Sequence, residues 1–334
     1  MNRIAATRRS LALAGLVTAL ALALPATTLA QGAERWPDKP IRLIVLGTPG
    51  ASADVLARTI GDGLSRNVGQ PVVVDPKPGA AGALAVEALL AAPRDGHTYL
   101  VAVNSLVSEI PHSVKPRHDP FKDLVPLVEL VSGPLVLVAN TQTGVGSLKE
   151  MAAYVKARPG KVSYASYSAG TLSHVMGLQL NKAAGLDMQH VGYKGSSPAL
   201  QDLIGGQVDF MFDGSATSIP HIKAGKLKAL AVTSARRISA LPEVPTMTEL
   251  GYPQLTQYPW IALWSTPGTP AAAQARMRAE VLKVLATPQV RDKFTSFGLE
   301  VDPTPPTVEQ MQQTLRTEFQ AVGQTLSSIG YKPE

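Results

Sequence analysis

Leu43-Ile44-Val45-Leu46-Gly47-Thr48-Pro49-Gly50-Ala51-Ser52-Ala53-Asp54-Val55-Leu56-Ala57-Arg58 is the stretch from which the fold is read. It opens on a continuous apolar run, as expected of a strand buried on both faces. A turn of small residues follows, and Leu56, Ile60 and Leu64 then recur at spacing four, the period of an amphipathic helix. Ser52 is the expected N-cap of that helix. Unpaired amides at a helix start attract anions, and small side chains let a ligand approach the backbone. Thr48, Gly50, Ala51, Ser52 and Ala53 are therefore candidate ligand-binding residues. Asp54, in the first helical turn, reads as a complement to the helix dipole. The same residues also suit an ordinary strand–helix turn, because such amides bind anions only when left exposed.

The pattern recurs along the chain. Short apolar runs at 41–46, 72–74, 99–103, 135–139, 162–165, 188–191, 208–212, 227–232 and 261–263 read as strands. Helical periods alternate with them, through Leu148, Ala152 and Lys156, through Leu178, Asn181 and Ala184, and in the tail through Met311, Leu315 and Phe319. Alternation of this kind predicts an α/β fold of mainly parallel sheets with helices on both faces. A second small-residue turn, Ser166-Tyr167-Ser168-Ala169-Gly170-Thr171, leads into a helix carrying His174 in its first turn. Ser166, Ser168, Ala169, Gly170 and Thr171 join the candidates, with Thr171 as the expected cap. His174 alone is more often a packed polar residue than a base. Asp213 ends the run Asp209-Phe210-Met211-Phe212, where a carboxylate faces the crevice outside a parallel strand or merely forms a turn. Asn104 and Ser105 stand at an equivalent edge.

Composition narrows the chemistry. The 334 residues are 45% hydrophobic and 17% charged, with 28 Gly, 27 Pro and no Cys. That length suits two domains. The absence of cysteine excludes disulfides, thiolate metal sites and a cysteine nucleophile. The six histidines (97, 112, 118, 174, 190 and 221) have no metal-ligand spacing, and no nucleophile elbow, dinucleotide fingerprint, P-loop or zincin motif occurs. No metal, cofactor or catalytic set is expected. The net charge is +6, but setting residues 1–30 aside leaves 28 basic against 25 acidic residues, a balance of +3 without basic blocks. Nucleic acid is therefore not an expected partner.

Residues 1–30 read as an export signal. Arg3, Arg8 and Arg9 precede a 14-residue Ala/Leu run that is too short to span a membrane, and Ala30 closes a small-residue cleavage site. Thr7-Arg8-Arg9-Ser10-Leu11 also resembles a twin-arginine signal. Crossings between two lobes are expected at 138–146 and 263–270. They divide the chain into a signal at 1–30, the first part of lobe 1 at 31–137, lobe 2 at 138–261, and 262–334 completing lobe 1.

Trp36-Pro37-Asp38-Lys39-Pro40-Ile41 and Gly69-Gln70-Pro71-Val72-Val73-Val74-Asp75 resemble the Bug family of extracytoplasmic solute receptors. The block from Val191-Gly192-Tyr193-Lys194-Gly195-Ser196-Ser197-Pro198 through Gly205-Gly206-Gln207-Val208-Asp209 to Pro220-His221-Ile222-Lys223-Ala224-Gly225 is the more specific match. The resemblance implies a two-lobed, type II periplasmic-binding-protein fold that closes on a small carboxylate and serves a tripartite tricarboxylate transporter in the membrane. It further implies that the turns 48–53 and 166–171 grip the ligand, with Asp213 lining the pocket. A periplasmic, monomeric, non-enzymatic receptor is the expectation. The alternatives are a ligand-sensing adaptor for a membrane kinase and a secreted hydrolase with a dispersed Ser/His/Asp set. No arginine lies in either turn, so anion binding is expected to rest on amide dipoles more than on an ion pair.

Overall fold

A computed structural model describes residues 36–115, 118–328 and 331. The expected export signal at 1–30 lies outside the described residues. The strands are β1 (Ile41–Val45), β2 (Val72–Pro76), β3 (Thr98–Val103), β4 (Val125–Ser132), β5 (Leu135–Asn140), β6 (Val162–Ser166), β7 (Met188–Gly192), β8 (Phe210–Gly214), β9 (Leu227–Val232) and β10 (Trp260–Ser265). The helices are α1 (Ser52–Val68), α2 (Ala83–Leu90), α3 (Ser105–Ser108), α4 (Pro120–Asp123), α5 (Leu148–Lys156), α6 (Leu172–Ala184), α7 (Ser196–Gly205), α8 (Ser215–Lys223), α9 (Ala271–Leu285), α10 (Pro288–Ser296) and α11 (Val308–Ser328).

Two five-stranded sheets result, ordered β2-β1-β3-β10-β4 and β7-β6-β8-β5-β9. The sheets are mixed but mainly parallel, as expected: four of the five strands of each run in one direction and one is reversed. β1 runs parallel to β2 and β3, and β6 parallel to β7 and β8, as βαβ crossovers require. β10 is antiparallel to β3 and β4, and β5 is antiparallel to β8 and β9. The physical reason is connectivity: β5 and β10 are the strands by which the chain arrives from the other sheet, and each enters against the local direction. The two sheets thus share one topology, with the arriving strand in the fourth position. The boundaries expected at 137/138 and 261/262 fall inside β5 and β10, each of which belongs whole to one sheet.

Strand alternation distributes the core. Leu135, Leu137 and Ala139 of β5 face Met151 and Val155 of α5 and Met176 and Leu180 of α6. Val136 and Val138 face Ala199, Leu200 and Leu203 of α7 on the other side. In the first sheet Ile44, Leu100 and Trp264 pack with Met311 and Leu315, so α11 covers that sheet as its apolar period requires. Leu56, Ile60 and Leu64 of α1 are buried at 2% exposure or less. β4 has no counterpart among the sequence-read strands, because Pro126 and Glu129 interrupt its apolar run. A proline is tolerated in a strand at the edge, and β4 is an edge strand.

Candidate functional site

The carboxyl ends of β1, β3, β6, β7 and β8 run into helix starts that surround one cavity of about 160 Å³. The first sheet contributes Ala51, Ser52 and Ala53 at the start of α1 and Ser105 at the start of α3. The second contributes Thr171 and Leu172 at the start of α6, Lys194, Gly195 and Ser196 at α7, and Gly214 and Ser215 at α8. None of the helices α1, α6, α7 and α8 has a side-chain cap. Ala51, not Ser52, occupies the N-cap position of α1, and alanine has no oxygen to offer. Thr171 is the N-cap of α6, but its hydroxyl turns back to donate to the Ser168 carbonyl at 2.8 Å. The amides of Ser52, Ala53, Leu172 and Ser196 consequently make no hydrogen bond among the described residues. Each helix start carries about half a positive charge. Lys194 adds a full one, and it has no ion pair among the described residues.

The rims of the two sheets touch above this cavity. Thr48 Oγ1 donates to Ser197 Oγ (3.0 Å), which donates to the Pro49 carbonyl (3.0 Å). Ser52 Oγ lies 2.9 Å from where a Cβ on Gly214 would stand, so the starts of α1 and α8 approach closely here. Behind the site Asp54 accepts from the Gly50 amide at 2.9 Å and pairs with Arg58 through both carboxylate oxygens, which holds the first turn.

Residues 56–330 match the profile of the TctC family, described as tripartite tricarboxylate transporter family receptors. The chain belongs to this family. BugT of Bordetella pertussis is 34% identical over 304 residues, spanning 90% of this chain and 92% of BugT. A Rhodopseudomonas palustris protein solved with adipate superposes with a TM-score of 0.85 at 28% identity, covering 90% of this chain and 100% of that one. MatC from the same species, solved with bound malate, gives 0.80 at 29% identity over 87% and 100% of the two chains. TctC proteins are solute-binding receptors, and the two-lobed fold of this receptor is the one expected from the resemblance.

Five of the sequence-read candidates line the cavity of this TctC receptor: Ala51, Ser52, Ala53, Ser105 and Thr171. Thr48 and Gly50 shape the rim. Ser166, Ser168, Ala169 and Gly170 form the second turn without lining the cavity. Ser166 is buried, donates to the Ser168 carbonyl at 3.0 Å and meets His190 Nε2 at 2.6 Å. This Ser–His contact does not open onto the cavity, so it offers a substrate no nucleophile there. Asn104 is a strut, donating to Glu318 (2.9 Å) and accepting from the Trp260 amide (3.2 Å). Asp213 does not line the cavity either. Its carboxylate is fully buried and accepts from Ser196 (2.7 Å), Thr217 (2.6 Å), Ser218 (2.6 Å) and the Tyr167 hydroxyl. Burial pushes this carboxyl up while the four hydroxyls pull it down.

Sequence reasoning missed Lys194, Gly195 and Ser196 as site residues. The signal was present, since Tyr193-Lys194-Gly195-Ser196-Ser197-Pro198 repeats the strand–small turn–helix pattern of the other two junctions. Among the described residues no group of three or more His, Cys, Asp or Glu side chains is placed to hold a metal, and no helix is long and apolar enough to cross a membrane.

His174 supports the second turn. Its Nδ1 accepts from the Gly170 amide at 3.0 Å, and its ring stacks on His190 with centroids 3.9 Å apart. Burial first, and His190 second, push His174 down to about 4 from the ordinary 6.5. The unfolded chain therefore takes up this proton first as pH falls. Stability from the site is complete above pH 6.5 and is lost on the way down to about 4, by roughly 3 kcal/mol. Thermal unfolding followed across this range is expected to show a shallower acid loss for His174→Gln, which keeps an acceptor. Parallel profiles for variant and parent would refute the assignment.

Proposed function

We propose that this TctC receptor captures a small carboxylate in the cavity between its sheets, in the periplasm, and hands it unchanged to a tripartite-type membrane transporter. The observation that carries the reading is the convergence of uncapped helix starts from both sheets on one cavity beside Lys194. A carboxylate supplies the acceptors these amides lack. Because the donors come from both lobes, the ligand gains its full set of contacts only when the lobes meet, and ligand binding shifts the population toward closure. The chain passes between lobes at Gly133 and Pro134 and again between β9 and β10, and these segments act as the hinge. The adipate and malate held by the two Rhodopseudomonas neighbours support the choice of a carboxylate. The receptor performs no catalysis and acts as a monomer in this reading.

Calorimetric titration of the chain with carboxylates and their neutral amides tests the proposal. Carboxylates are expected to bind, amides to fail, and mass spectrometry to recover the ligand unaltered. Lys194→Gln is expected to weaken binding about tenfold, an effect that fades with added salt because Lys194 is exposed. Amides binding as well as acids, or a chemically altered ligand, would overturn the reading.

A further inference from the structure

We infer that the ligand of this receptor is a monocarboxylate with an apolar body about the size of a six-membered ring, in place of a di- or tricarboxylate. This rests on the carboxylate reading above and deepens it. The cavity of about 160 Å³ is close to the roughly 150 Å³ that accommodates benzene in an engineered protein core.

The polar groups left over around the cavity suffice for one anionic head. Four of the lining hydroxyls are already committed: Ser196 to Asp213, Thr171 to the Ser168 carbonyl, Ser215 to the Gly298 carbonyl, and Tyr167 to Asp213 and the Gly214 amide. What remains includes the amides of Ser52, Ala53, Leu172 and Ser196, those of Gly47 and Gly79, the hydroxyls of Ser52 and Ser105, and Lys194. All of these stand in the turns and helix starts that follow the carboxyl ends of strands. One carboxylate, with its four lone-pair positions, can take up to four of them at once.

The hinge side of the cavity is different. Val131, Pro134, Leu135, Pro259, Ile261 and Leu299 form a continuous wall, held together by the Gly133 amide donating to the Pro259 carbonyl at 3.0 Å. The Pro134 carbonyl is likewise occupied, by the Ser215 amide at 3.2 Å. Among the described residues no Arg, His, Asn or Gln lines the cavity, so a second carboxylate laid on this wall would lose its hydration and gain no donor from them. No described Asp or Glu lines it, so the ammonium of an amino acid would be equally unmatched. The wall suits a ring or a short hydrocarbon chain.

The test is calorimetric titration of the unaltered chain with benzoate, cyclohexanecarboxylate, hexanoate, adipate, malate, glutamate and benzamide. At least one of the three monoacids is expected to bind about 100-fold or more tighter than adipate, malate and glutamate, a difference of ~2.7 kcal/mol. Benzamide is expected to fail, because it lacks the charge. If adipate, malate or glutamate binds as tightly as the best monoacid, the inference falls while the carboxylate reading stands. If no acid in the series binds, or benzamide binds as well as benzoate, both fall.

Discussion

Gly170→Ala is expected to weaken ligand binding about 10- to 100-fold, while Lys149→Ala leaves it unchanged. Gly170 has φ near +78°, and a Cβ there would stand 2.2 Å from the Cβ of Ser113. Ordinary carbon contacts lie at about 3.5–4.0 Å, so one side must withdraw by more than an ångström. Ser113 follows β3 in the first sheet's half of the chain, whereas Gly170 follows β6 in the second. The added methyl therefore opposes the approach of the lobes and acts on closure. Overpacking of this kind costs about 1–3 kcal/mol, which is the affinity range given. The left-handed backbone adds about 1 kcal/mol of general destabilisation, visible in thermal unfolding without ligand. Ser113→Gly removes the opposing Cβ, so the double variant is expected to recover most of the affinity but not the lost stability. A double variant as weak as Gly170→Ala alone would show that the contact with Ser113 is not the cause. Lys149 is an exposed residue on α5, remote from the cavity lining, and serves as the control.

Asp213→Ala is expected to be the most destabilising of the single substitutions considered. The carboxylate is the shared acceptor of four hydroxyls in a region without solvent. Thr217 keeps a second acceptor, the Gly214 carbonyl at 2.9 Å, but Ser196, Ser218 and Tyr167 lose theirs to alanine. Each buried hydroxyl left without a partner costs about 1–3 kcal/mol, so a loss of ~3–6 kcal/mol is expected. For a chain of this size that corresponds to a fall in Tm of about 5–10 °C. Binding suffers as well, since Ser196 begins α7 and Tyr167 forms a wall of the cavity. Asp213→Asn retains one acceptor oxygen and is expected to lose roughly half as much. A Tm for Asp213→Ala within about 2 °C of the parent would remove Asp213 from its role as the hub of the site.

These residues show where the sequence was informative. Strand–turn–helix units are local, and the small residues of 47–53 and 166–171 advertised exposed helix starts without any knowledge of the tertiary structure. What cannot be read locally is which way a strand-end carboxylate turns. Thr217 and Ser218, four and five residues beyond Asp213, hinted at an inward orientation, but Ser196 and Tyr167 reach it only through the sheet. The apolar wall was invisible for the same reason. Val131, Pro259 and Leu299 come from distant parts of the chain and meet only because β4, β5 and β10 gather at the hinge. The one reversed strand in each sheet, β10 and β5, was not legible, because short apolar runs look alike in parallel and antiparallel strands. Asn104 was recognised as standing at a strand edge, but its engagement with Glu318 depends on a helix more than 200 residues further on.

The shared topology of the two sheets bears on the order in which the protein is built. Every strand of the second sheet has been synthesised once Val232 has emerged, whereas β10 must still be threaded between β3 and β4. Until Trp260–Ser265 arrives, β3 and β4 each present a row of unpaired backbone groups, open to mispairing with other chains. The half of the molecule that is translated first is thus the half that is finished last.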